Sequence, residues 1–111
     1  MNTTDIGRHA EEKVAELLRS NGHKIDAMNW RTRWCEIDIV SILDSCVYFT
    51  EVKYRSSTDW GDGFSYITSK KFKQMKFAAE MWISDNNWQD EAALQGASVD
   101  SKGSIEIIEL D

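Results

Sequence analysis

Residues 36–53 of the chain read EIDIVSILDSCVYFTEVK, and no other stretch restricts the fold so strongly. Two runs rich in β-branched and aromatic residues, 35–43 and 46–54, flank the turn-like pair Asp44-Ser45, which is the pattern of a β-hairpin. Toward the ends far from the turn, however, the strands carry Glu36, Asp38, Glu51 and Lys53, where a buried sheet takes apolar side chains. With a two-residue turn, Leu43 faces Cys46 and Asp38 lies directly opposite Glu51; a three-residue turn would shift the register by one. Directly opposed residues have Cβ atoms about 4.5–5.5 Å apart, close enough for two carboxylates to share a divalent cation. Alternation along the strands puts Glu36 and Lys53 on the same face. Like charges facing each other destabilise a sheet, and a bound cation is the simplest compensation. The competing possibility is a solvated strand face on which Lys53 neutralises Glu51.

Two helices frame the hairpin. In residues 5–21 Ala10, Val14, Leu17 and Leu18 form one apolar stripe, with Gly22 as a stop. Glu11 borders that stripe, so it faces whatever the helix packs on, or else stays half-exposed at the boundary. The second helix, about 69–84, has Phe72, Met75, Ala79, Trp82 and Ile83 on one side. Lys71 projects to the same side. A cation in a first helical turn opposes the macrodipole and calls for a partner, either a phosphate or an acid; the alternative is a snorkelling stem. Residues 23–30 read as a short strand, 55–65 as a loop, 85–103 as weak signal with a short strand near 97–99, and 104–110 as a final strand. The order is α-β-β-β-α-β(-β), an α/β sandwich with a mixed central sheet.

With 111 residues, 41% apolar and 29% charged, the chain fits one domain spanning 1–111. No apolar run is long enough to cross a bilayer and the N-terminus lacks a signal-peptide pattern, so a cytoplasmic protein without a membrane partner is expected. Cys35 and Cys46 have no metal-site spacing and are expected to be reduced. The net charge of −6 argues against a generic nucleic-acid binder. Its distribution softens that objection, because residues 1–76 carry net +1 and residues 77–111 net −7.

The ordered set Gly7, Ala10, Glu11, Val14, Leu17, Leu18, Gly22, then N-W-R-T-R-x-x-E-I-D (29–38), F-T-E-V-K-x-R (49–55), Gly61, Ile67-Thr68, Lys71 and Ala78-Ala79 resembles the YraN family. That family is regarded as predicted endonucleases with the restriction-endonuclease-like PD-(D/E)XK fold, distantly related to archaeal Holliday-junction resolvases. Cys35 stands where the family usually has glycine, and its later R-F-D strand motif is reduced to Ser98-Val99-Asp100. The resemblance implies a three-layer sandwich and hydrolysis of DNA, with branched or flapped DNA as candidate substrates. It implies that Asp38, Glu51 and the Val52 carbonyl hold Mg²⁺ or Mn²⁺, that Lys53 acts on the attacking water or on phosphate charge, and that Glu11 completes the acidic cluster. Related resolvases often act as dimers, so a homodimer is compatible with it.

Arg31, Arg33, Arg55, Lys71 and the other lysines of 70–76 are candidates for phosphate contacts. Trp30, Trp34 and Trp60 are candidates for stacking on unpaired bases, while Trp82 belongs to the apolar stripe. His9 and His23 lack partners at ligand spacing and are expected to have surface or capping roles. Two other classes stay open: a nuclease-fold module that binds nucleic acid or a protein partner without turnover, and a structural domain with a wet hairpin face.

Overall fold

The computed structural model describes residues 2–56 and 63–110. Along the chain the elements are α1 (Thr3–Ser20), β1 (Lys24–Arg31), β2 (Glu36–Leu43), β3 (Cys46–Tyr54), α2 (Ser69–Asp85), β4 (Glu91–Val99) and β5 (Ile105–Leu110). The five strands form one sheet in sequence order. β1, β2 and β3 are antiparallel neighbours, β4 runs parallel to β3, and β5 closes the edge antiparallel to β4.

The hairpin has the expected two-residue turn. Asp44 and Ser45 both have positive φ, 48° and 63°, as a type I′ turn requires. Leu43 pairs with Cys46 and Ile39 with Thr50, so the register matches the sequence expectation. β4 departs from it. In place of a short strand near 97–99 there are nine residues, paired with β3 from Cys46 and Glu91 to Tyr54 and Val99. A parallel neighbour needs a crossover connection, which the segment containing α2 supplies.

Each face of the sheet carries one helix. Ala10, Val14, Ala15 and Leu18 of α1 pack with Ile39, Ala97 and Val99. On the opposite face Ala78, Ala79 and Trp82 of α2 pack with Ile37, Val40, Val47 and Phe49. Phe49 and Trp82 meet edge to face at 5.5 Å. Each such side chain, fully buried, contributes about 1.5–3 kcal/mol of transfer free energy. The result is a three-layer α/β sandwich.

The helix ends are fixed by local chemistry. Asn2 caps α1 by accepting the Asp5 N–H at 2.9 Å. After α1 the N–H groups of Gly22 and His23 donate to the carbonyls of Arg19 and Leu18, with Gly22 at φ 96°, a Schellman ending. Thr68 caps α2 by accepting the Lys71 N–H at 3.1 Å. Between β3 and α2, residues 63–68 lie hard against β4: a Cβ on Gly96 would come within 2.6 Å of Ile67 Cδ1. No described helix is long and apolar enough to cross a membrane.

Candidate acidic site and the adjoining basic groove

The paired register of β2 and β3 ends at Ile39 and Thr50. One residue further on, the Val52 N–H donates to Asp38 Oδ2 at 2.8 Å, so a side chain takes a bond that would otherwise go to backbone. Asp38 is half-buried. Burial pushes its carboxyl from the usual 3.8 up to about 7, the Glu51 charge adds to this, the Val52 bond opposes it, and Glu11 and Glu36 raise it further.

α1 delivers Glu11 to the same place. Its carboxyl is also raised, first by burial; an Asn29 hydrogen bond pulls the other way, Glu36 and Glu51 push up, and Arg8 opposes. Asn29 sits at φ 52°, a left-handed conformation that asparagine tolerates better than most residues. Among the described residues Glu11 Oε1 is buried with no hydrogen-bond partner. A buried carboxylate oxygen left in this state is costly unless something else coordinates it.

Glu51, on β3, pairs with Lys71 Nζ at 2.8 Å. Lys71 thus has the acid partner that a cation in a first helical turn calls for. The alternative neutralisation of Glu51 by Lys53 is not what forms: Lys53 is exposed and makes no ion pair among the described residues. The reason is reach across the layers, since α2 lays its first turn against the end of β3. Val52 contributes its N–H to Asp38 and packs its side chain on the α1 side of the core.

The remaining cations are spread out. Arg31 meets Glu36 at 3.5 Å on the surface. Arg33 lies over the Trp34 ring, 5.3 Å from its centroid. Arg55 is half-buried, and its backbone N–H donates to the Val99 carbonyl. Trp30 packs against the α2-side core and is lost as a stacking platform, whereas Trp34 is 67% exposed. Trp60 and Gly61 lie outside the described residues, as does most of the loop around them. His9 is exposed, and His23 is packed rather than capping: Ser41 Oγ lies 2.9 Å from its Nδ1 and Tyr48 meets it edge-on. Cys35 has no positive φ, so a side chain fits without strain where the YraN pattern has glycine.

Two participants in the site carry little mark of it in the sequence. Tyr66 donates its hydroxyl to the Glu51 carbonyl at 3.1 Å, with the Ala97 carbonyl at 3.4 Å, and burial together with Glu51 and Asp38 raises its ionisation far above the usual range. Its only signal was its place just before Ile67-Thr68. Asn29 was part of a motif but carried no assigned role until its bond to Glu11 appeared.

Beside Glu51 a groove of about 680 Å³ runs between the β1–β2 connection and α2, with Trp34, Glu36, Lys70, Lys71 and Lys73 in its walls. The site is therefore acidic at its floor and basic along α2. Among the described residues no three His, Cys, Asp or Glu side chains converge tightly enough to hold a metal ion by themselves.

Comparison with known proteins places the chain among relatives of similar length. It is 34% identical over 105 residues to a UPF0102 protein of Sulfurihydrogenibium sp., covering 89% of this chain and 91% of that one. It is 32% identical over 90 residues to one from Fusobacterium nucleatum, covering 81% and 76%. A third, from Syntrophomonas wolfei, is 37% identical over 79 residues, covering 71% and 69%. The model of the family described as "Uncharacterised protein family UPF0102" matches residues 10–109, a span that holds all three carboxylates, the buried faces of both helices and all but the last residue of the strands, and the chain belongs to that family.

Proposed function

We propose that this UPF0102 protein is a YraN-type nuclease with a restriction-endonuclease-like fold, and that it hydrolyses DNA phosphodiester bonds with Mg²⁺ or Mn²⁺. One observation carries the proposal: Glu11, Asp38 and Glu51 come from three different elements to one partly buried place, where burial first and their mutual repulsion second raise the protonation of Glu11 and Asp38, and among the described residues one Glu11 oxygen is buried without a partner. Such an arrangement is unfavourable for folding alone, and a hard cation relieves it.

The donor chemistry fits that cation. Carboxylate and carbonyl oxygens are the ligands of Mg²⁺, which keeps several waters and is commonly carried on one or two carboxylates plus substrate phosphate. A site where no three side chains converge among the described residues is compatible with such binding. Asp38, Glu51 and the Val52 carbonyl would hold the ion directly and Glu11 through water. When bound, it supplies Lewis-acid polarisation of the phosphate and a more acidic water.

The chain's own residues do the rest. The Val52 N–H orients Asp38. The Tyr66 hydroxyl fixes the backbone at Glu51, and Asn29 holds Glu11. Lys53, exposed two residues beyond Glu51, orients or deprotonates the attacking water, or stabilises charge on the phosphate. Lys70 and Lys73 position the DNA backbone in the groove, beside Lys71 held on Glu51.

A second class of function keeps a foothold because Glu51 is already neutralised by Lys71: a module that binds nucleic acid or a protein without turnover. Titrating Mg²⁺ and Mn²⁺ into wild type and Asp38→Asn decides between them. The readouts are melting temperature and cleavage of duplex, single-stranded, flap and four-way-junction DNA. The nuclease predicts a metal-induced rise in melting temperature and cleavage, both lost in the variant. A rise without cleavage supports the binding module, and neither effect in folded wild type sinks the metal site.

A further inference from the structure

We propose that the groove beside Glu51 holds an unpaired segment of nucleic acid, with bases stacked on Trp34 and Phe77 and phosphates on Lys70 and Lys73. The proposal rests on the nucleic-acid part of the function above and adds the form of strand that is recognised. Trp34 is 67% exposed and Phe77 48% exposed; both line this one groove, the first from the β1–β2 connection and the second from α2. Large aromatic side chains left in water are unfavourable by the same transfer free energy that buries Phe49 and Trp82 on the other side of α2.

Trp34 is held in place. Its backbone N–H donates to Thr32 Oγ1 at 3.0 Å, the Cys35 N–H donates to the same oxygen at 3.2 Å, and the Thr32 N–H donates to the Cys35 carbonyl at 2.9 Å. Cys35 Sγ lies 3.6 Å from Met81 Sδ, which ties the turn to α2. The backbone that carries the indole is therefore preformed, with the Arg33 guanidinium 5.3 Å from the ring centroid, and binding there forfeits little backbone freedom.

Charge selects the occupant. Lys70 and Lys73 pair with no acid among the described residues, while the groove's own acids, Glu36 and Glu51, are answered by Arg31 and Lys71. Unanswered cations beside exposed aromatic faces suit a polyanion with π-faces. In a duplex the bases are stacked on each other and offer no face; in a single strand they do.

The test is binding without cleavage, measured in chelator by fluorescence anisotropy at one salt concentration. The probes are a short oligothymidylate, an abasic oligomer of equal length, and a hairpin duplex, with Trp34→Ala, Phe77→Ala and Lys73→Ala as variants. The expected result is tighter binding of oligothymidylate than of the abasic strand. Trp34→Ala and Phe77→Ala should each remove about tenfold for oligothymidylate, the size of one stacking contact, with the other two probes within about twofold. Lys73→Ala should weaken all three and lower the salt slope by about one. Equal binding of thymidylate and abasic strands overturns the proposal. So does loss of self-association in the aromatic variants, which would make the groove an interface between copies. Cleavage plays no part in these readouts, so an inactive enzyme and an absent stacking site give different results.

Discussion

The two ends of the β2–β3 hairpin make opposite uses of the same pair of strands. Around its middle and toward the turn, Ile39, Val40, Val47 and Phe49 are buried between the helices, Ser41 finds His23, and the register runs unbroken to Leu43 and Cys46. At the far end Asp38 and Glu51 sit where the next pair would be, with Glu11 over them from α1 and Lys71 reaching in from α2. One end is stable because its side chains leave water. The other concentrates negative charge in partial burial, which folding by itself disfavours. The contrast locates function better than any single residue does.

The largest loss of stability is expected at the apolar end. Phe49 is 2% exposed and fills the space under Trp82, so Phe49→Ala should lower unfolding free energy by about 3–5 kcal/mol in urea denaturation. A loss under about 1 kcal/mol would show that this layer is loosely packed.

Asp38→Asn should move the other way without metal. The asparagine carbonyl still accepts the Val52 N–H, and the repulsion with Glu51 and Glu11 is removed. A gain of about 2 kcal/mol is expected at pH 8. Because the folded carboxyl titrates near 7 and the unfolded one near 3.8, the native state holds the extra proton between those values. Wild-type stability should therefore fall as pH rises from about 4 to about 7, and the variant should flatten that slope. A wild-type stability that rises across this window contradicts the raised Asp38.

A smaller effect is expected at the hydroxyl that braces the acidic end. Tyr66→Phe removes the bond to the Glu51 carbonyl and should cost about 1 kcal/mol. Under the proposed function it should also reduce cleavage more than it reduces DNA binding, because it disturbs the backbone that presents Glu51.

Much of this was legible in the sequence where the signal was local. The Asp44-Ser45 turn set the register as far as Ile39 and Thr50, next to Asp38 and Glu51; the apolar stripe of α1 put Glu11 at its border, and the packing of α1 on the sheet decided which way it faces. β4 was not legible. Its AALQGASV core is mostly small residues without β-branched alternation, and its inner half is buried, so neither propensity nor period marks it. It becomes a strand because β3 and β5 supply hydrogen bonds on either side and because Gly96 lets Ile67 lie against it.

The hairpin and its register, both helical faces, and the carboxylates that share a strand end follow from local pattern, since they depend on repeats of two or about 3.6 residues and on turn chemistry. Only the tertiary structure decided that Lys71 rather than Lys53 pairs with Glu51, that Asn29 and Tyr66 serve the acidic site, and that Trp34 and Phe77 border one groove. Those pairings join residues far apart in the chain, and nothing short of packing two helices on opposite faces of one sheet brings them within reach.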